Sequence, residues 1–151
     1  MFRYKLEPLL KYRKILENER QRSLAEANRH YFAELGRAKE IESERSNVLN
    51  RMKEAMKTIS DPETLKLYDN YLAGSDINID AINEKVETVK QIVDIERETL
   101  VECVKNRKII ETHRKRMEER YIRDESRRER QMYDEVALTM YMYKEKSGEN
   151  I

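Results

Sequence analysis

The chain has 151 residues, of which 40% are charged and 38% hydrophobic, with no Trp, three Gly and two Pro. That is too little apolar material for a thick multilayer core and too few turn formers for a sheet, but enough for a thin seam between helices. The net charge of +1 selects no partner by overall charge and excludes a strongly basic or acidic chain.

Pro8 suits the first turn of a helix, where its missing N–H costs nothing. The first helix is predicted from about residue 5 to 58. Along it Leu6, Leu10, Arg13, Glu17, Arg20, Leu24, Ala27, Tyr31, Glu34, Ala38, Ile41, Arg45, Val48, Met52, Ala55 and Ile59 recur at steps of three and four. An average step of 3.5 is the coiled-coil period. Ser60-Asp61-Pro62-Glu63 then reads as a restart, with Asp61 as cap and Pro62 in the first turn. A short helix is expected over 62–73, stopped by Gly74. A second long helix is expected over 79–144, capped by Ser75 and Asp76, or by Asn78, with a frayed C-terminus beyond it.

The second helix carries its own seam: Ile79, Ile82, Val86, Val89, Val93, Glu96, Leu100, Cys103, Arg107, Ile110, Arg114, Met117, Tyr121, Asp124, Arg128, Gln131, Glu135, Leu138 and Met142. Neither helix, at about 1.5 Å per residue some 80 and 100 Å long, would stand alone as a solvated rod. The two seams satisfy each other if the chain doubles back. The predicted fold is all-α: a long two-stranded antiparallel coiled-coil hairpin with a short helix in the connection, one domain over residues 1–151. Turning at 60–76 would place Leu10 opposite Arg128 and leave about a dozen C-terminal residues overhanging.

Charge is uneven along the chain. Residues 1–22 hold 7 basic and 3 acidic side chains, and residues 105–130 hold 11 and 6. Doubling back gathers both basic stretches at the end that carries the termini. Arg13, Glu17, Arg20, Arg114, Asp124 and Arg128 interrupt the seams there, where a charge is costly unless it pairs or reaches water. Two readings stand equally: the last turns splay, or this end packs on another molecule. Arg107, Glu111, Lys115, Glu119 and Arg123 alternate in sign every four residues, a pattern that supports a solvated helix.

No catalytic constellation is present. Three scattered glycines make no phosphate loop, His30 and His113 fall out of register for a shared metal, and Cys103 has no companion cysteine or evident His. The chain is therefore read as non-enzymatic, without metal or cofactor. The N-terminus lacks the apolar core of a secretory signal, and no stretch is apolar enough to span a bilayer, so a cytoplasmic protein is expected. The basic residues are interleaved with Glu and lack an aromatic platform, which argues against nucleic acid as partner. Tyr68, Tyr71 and Leu72 read as a contact at the hairpin end, in the first instance a plug over it. Tyr133, Met140, Tyr141 and Met142, on the overhang, read as a partner surface, since Met and Tyr offer adaptable amphipathic contacts.

Phe2-Arg3-Tyr4-Lys5-Leu6-Glu7-Pro8-Leu9-Leu10-Lys11-Tyr12-Arg13, continued by Leu24-Ala25-Glu26-Ala27, resembles the opening of the FliJ family of the bacterial flagellar export apparatus. Arg127-Arg128-Glu129-Arg130-Gln131-Met132-Tyr133-Asp134-Glu135-Val136-Ala137 is similar to its C-terminal signature, and Tyr68, Tyr71 and Leu72 fall where the family has aromatic residues at its turn. The resemblance implies a stalk similar to that of rotary ATPases, whose termini end binds and regulates a hexameric export ATPase ring. It also implies a link to the membrane protein of the export gate, escort of export chaperones, and a place at the flagellar base, peripheral to the inner membrane and held there through partners only. On this basis Arg13, Arg20, Arg123, Arg128, Tyr133, Met140, Tyr141 and Met142 are candidate ATPase contacts. The same shape would serve as a stalk of an injectisome or rotary ATPase, or as a generic coiled-coil adaptor.

Overall fold

A computed structural model describes residues 1–58 and 61–148. Ile59 and Ser60, members of the predicted seam and restart, lie outside the described residues, as do Glu149 and Asn150 of the predicted frayed end. Two long helices pack against each other as an antiparallel hairpin: α1, Glu7–Thr58, and α2, Pro62–Gly148. Among the described residues there is no strand.

The helix starts follow from local chemistry. Glu7 N–H donates to Tyr4 O at 3.2 Å and Leu10 N–H to Leu6 O at 3.0 Å, so the chain enters α1 through a turn, with Pro8 in the first helical turn. At α2 the Asp61 carboxylate accepts from Glu63 N–H at 3.2 Å and from the Thr64 hydroxyl at 3.0 Å. This is N-capping, with Pro62 first in the helix.

The segment expected as a short helix is helical but does not end at Gly74. Helix α2 runs through Gly74, Ser75, Asp76 and Asn78 without a break. Gly74 does not take a positive φ, as a C-terminal glycine cap would require. Packing explains the continuity. Ser75 is buried, and Asp76 forms an ion pair with Arg45 Nε at 2.8 Å. Tyr68, Leu72, Ser75, Ile79 and Ile82 are all at least half-buried, at steps of 4, 3, 4 and 3. The seam therefore begins well before Ile79, and its contacts offset the ~1 kcal/mol cost of a helical glycine. At the other end α2 continues past the predicted stop at 144 to Gly148.

The described chain divides into two compact units. One, Leu16–Val104, holds most of the core: Ala27, Ala38, Val93 and Cys103 are buried along its seam. Glu34 is buried there too, and its Oε1 meets Arg37 and Lys85, each at 3.1 Å. The partners Glu34 with Lys85 and Arg45 with Asp76 fix an antiparallel register in this unit. The other unit joins residues 1–15 to the C-terminal part of α2 from Lys105 onward.

Candidate partner-binding surface

In the terminal unit the first residues run along α2 as a strap. The Phe2 and Tyr121 rings lie 5.7 Å apart, and Tyr4 stands 5.7 Å from the His113 ring. The Tyr4 hydroxyl is 2.9 Å from His113 Nδ1 and 3.3 Å from Ile110 O. A phenol has one proton, so both contacts are satisfied when Tyr4 donates to the carbonyl and His113 donates from Nδ1. The Met1 amino group donates to the Tyr121 hydroxyl at 2.8 Å, and that hydroxyl donates to Glu125 Oε1 at 3.2 Å. The Tyr121 phenol is held above its ordinary pKa, first by desolvation and then by the Glu125 carboxylate, with Arg128 pulling the other way. In the first turn of α1, Leu10 is only 1% exposed.

Glu7 pairs with Arg114 at 3.4 Å and Lys14 with Glu111 at 3.8 Å, which places Leu10 opposite residues 111–114. The expected register, with Leu10 opposite Arg128, is corrected. Helix α2 begins at Pro62 rather than after a turn ending near 76, so it begins pairing about five turns earlier. The consequence is a much longer overhang. The strap reaches Tyr121 and stops there. Between 122 and 148 only Ser126 is partly covered, and everything from 127 to 148 is exposed.

This bare helix is not uniform. At ~100° per residue, Met132, Tyr133, Val136, Met140 and Tyr143 fall within an arc of about 100°. All five are exposed, from 46% for Val136 to 75% for Tyr143. Their phase differs from the predicted continuation through Gln131, Glu135, Leu138 and Met142. A second stripe lies ~150° away around the helix. Arg116, Arg120, Arg123, Arg127 and Arg130 recur at steps of 4, 3, 4 and 3, and all are exposed. Arg123 Nε donates to Glu119 O at 3.3 Å. None of the five forms an ion pair among the described residues. Of the predicted alternating ladder, Arg107 with Glu111 forms a side-chain pair.

The predicted site residues sort unevenly. Arg123 and Tyr141 share one face of the bare helix. Tyr133 and Met140 lie on the apolar stripe, and Arg128 and Met142 on a third face. Arg13 is half-buried in the terminal unit with its Nε enclosed, and Arg20 is half-buried in the other unit. The five-arginine stripe, of which only Arg123 was a candidate, is visible in the spacing of the arginines alone. In the unit 16–104, Tyr68 and Tyr71 line a groove of about 330 Å³ with Val48, Thr64 and Leu67. Leu72 is half-buried but does not line it. Among the described residues no cluster of His, Cys, Asp or Glu could hold a metal, and no helix is long and apolar enough to cross a membrane.

These features define a class: an antiparallel coiled-coil hairpin. A family model described as the flagellar FliJ protein matches residues 2–146, and the chain belongs to that family. It is accordingly a flagellar, type III export-associated protein of a non-enzymatic family. A solved structure of a proposed YscO homolog from Chlamydia trachomatis is similar over 97% of this chain and 99% of that chain, with a TM-score of 0.53. At 21% identity that likeness shows the shared fold. A comparison with curated protein sequences gives no match.

Proposed function

We propose that this chain is the stalk that binds and regulates the hexameric export ATPase, using the bare end of α2 as its contact surface. The single observation that carries the reading is the exposed helix beyond Tyr121, with an apolar stripe and an arginine stripe on different sides. A surface that presents different chemistry on opposite sides suits a partner that encloses it, as the channel of a ring does. Arg123, Arg128, Tyr133, Met140, Tyr141 and Met142 lie on three faces of this helix, and an enclosing partner could reach them all. Arg13 and Arg20, half-buried, belong to the proposal only as supports of the packed stretch. The link to the export gate and the escort of chaperones are proposed on family membership. The groove of Tyr68 and Tyr71 is a second contact candidate at the hairpin end.

The test is ATP hydrolysis by the purified export ATPase with and without this chain. The variant Val136→Asp with Met140→Asp breaks the apolar stripe at exposed positions, so its helicity should stay near wild type. Loss of both binding and stimulation is the expected result. Full stimulation by that variant would contradict the assignment of the surface.

A further inference from the structure

We infer that Arg116, Arg120, Arg123, Arg127 and Arg130 form a recognition seam for a carboxylate-bearing protein surface, laid along α2 in coiled-coil register. The inference rests on the proposed enclosing partner and adds the chemistry of its contact.

Three observations carry it. The first is the spacing. Steps of 4, 3, 4 and 3 keep the five side chains in an arc of about 80° over some 21 Å of helix. That is the geometry by which one helix meets another along its length. The second is the residue type. All five are arginine, whose planar fork matches a carboxylate in two-point contact, whereas a lysine offers a point charge. The third is vacancy. These guanidinium groups make no ion pair within the described molecule, although Glu118, Glu119, Asp124, Glu125 and Glu129 lie on the same stretch of helix. Glu119 lies beside the seam, where its backbone oxygen accepts from Arg123 Nε, and the other four acids stand off it. Glu111 is taken by Arg107 and Lys14, and Glu125 by Tyr121. At the seam's head Ile109, Thr112, His113 and Arg116 line a shallow groove with Lys108. His113 is anchored there by Tyr4.

Other anionic partners fit less well. A planar bilayer takes up a helix whose face opposite the arginines is apolar, and over the turns of this seam the opposite face carries Glu118, Glu125 and Glu129, while the apolar stripe begins only at Met132. A nucleic-acid backbone carries phosphates at close, regular intervals. It would bring some of them against Glu119 beside the seam and Asp134 at its end, and no aromatic side chain interrupts the arginines to stack a base. A second copy docked seam to seam opposes arginine to arginine. Discrete carboxylates on a protein can instead be placed between these acids.

The test uses the full chain with Arg116, Arg123 and Arg130 all changed to Glu, beside a second variant with the same three changed to Lys. Circular dichroism should match wild type for both, because these side chains are exposed. Binding to the purified export ATPase is measured at low and high salt. We expect the Glu variant to bind at least tenfold more weakly, with little remaining salt dependence. The Lys variant should keep the salt dependence and lose a few-fold in affinity. The Val136→Asp, Met140→Asp variant should be weak yet keep its salt dependence. Equal binding by wild type and the Glu variant, with the same salt response, overturns the seam while leaving the stalk reading intact. If wild type itself fails to bind the ATPase, the stalk reading fails, and a helical peptide with Glu at alternating three- and four-residue spacing decides the seam. Retention of that peptide by wild type and not by the Glu variant upholds it, and retention by neither overturns it. Tighter binding of duplex DNA than of the peptide, or a self-association of wild type that the Glu variant loses, also overturns it.

Discussion

The unit of residues 16–104 and the bare end of α2 beyond Tyr121 are written in the same charge-rich language and use it oppositely. In the unit, charges close on the seam. Glu34 is buried between Arg37 and Lys85, and Arg45 meets Asp76. Toward the bare end the five arginines of the stripe form no ion pair among the described residues, and the large apolar residues Met132, Tyr133, Val136, Met140 and Tyr143 face solvent. Periodicity alone therefore does not mark a core. A seam becomes a core only where the chain supplies its second strand; elsewhere the same spacing presents a surface.

The contrast can be broken most forcefully by truncating one apolar residue in each setting. Val93→Ala should destabilise the chain by about 2 kcal/mol or more, since Val93 is only 4% exposed. Val136→Ala should change stability by less than ~0.5 kcal/mol. Urea unfolding followed by circular dichroism compares them, and equal losses would mean that the end of α2 is already covered. Gly74→Ala sharpens the helix path. No heavy atom lies within 4 Å of an added Cβ, and φ is not positive, so stabilisation of roughly 0.5–1 kcal/mol is expected. A chain that broke at Gly74 would be destabilised instead. The Arg45–Asp76 pair should give a coupling of ~0.2–1 kcal/mol in a double-mutant cycle, because both side chains keep solvent access. A coupling of zero would weaken the register in that unit.

The smallest expected effect concerns Tyr121. Its pKa is raised in the folded chain, so the neutral phenol is the form that folding favours. The contribution is full below the unfolded value and is lost as pH rises from about 10 through the folded value. A spectroscopic phenol titration should show one late component that is absent from Tyr121→Phe. An unchanged titration curve for the variant would place Tyr121 among the ordinary tyrosines.

Much of this was legible in residue spacing. Leu10, Ala27, Glu34, Ala38, Val93 and Cys103, all on the predicted seams, are buried, and charged seam members such as Arg45 and Arg114 meet charges across the hairpin. Gly74 misled for a physical reason. Glycine caps helices in isolation, but here Ser75 at a core position and the Arg45–Asp76 pair hold the helix through it, a tertiary term that local chemistry does not contain. The register depends on the same point, since the start of α2 at Pro62 sets how far α2 outruns the strap. The sorting of arginines and apolar residues onto opposite sides of the bare end was present in the spacing. It was hidden by carrying the buried seam's phase through Glu135, Leu138 and Met142, beyond the last residue that had a partner strand.

Helix α2 beyond Tyr121 is helical yet uncovered, and we propose that the export ATPase encloses it. Amide hydrogen exchange along α2, with and without the ATPase, is the most direct measurement. Slow exchange from 79 to 104 in both samples, and fast exchange from 122 to 148 that slows when the ATPase is added, is the predicted result. Strong protection of 122–148 in the chain alone, or no change there on adding the ATPase, would contradict it.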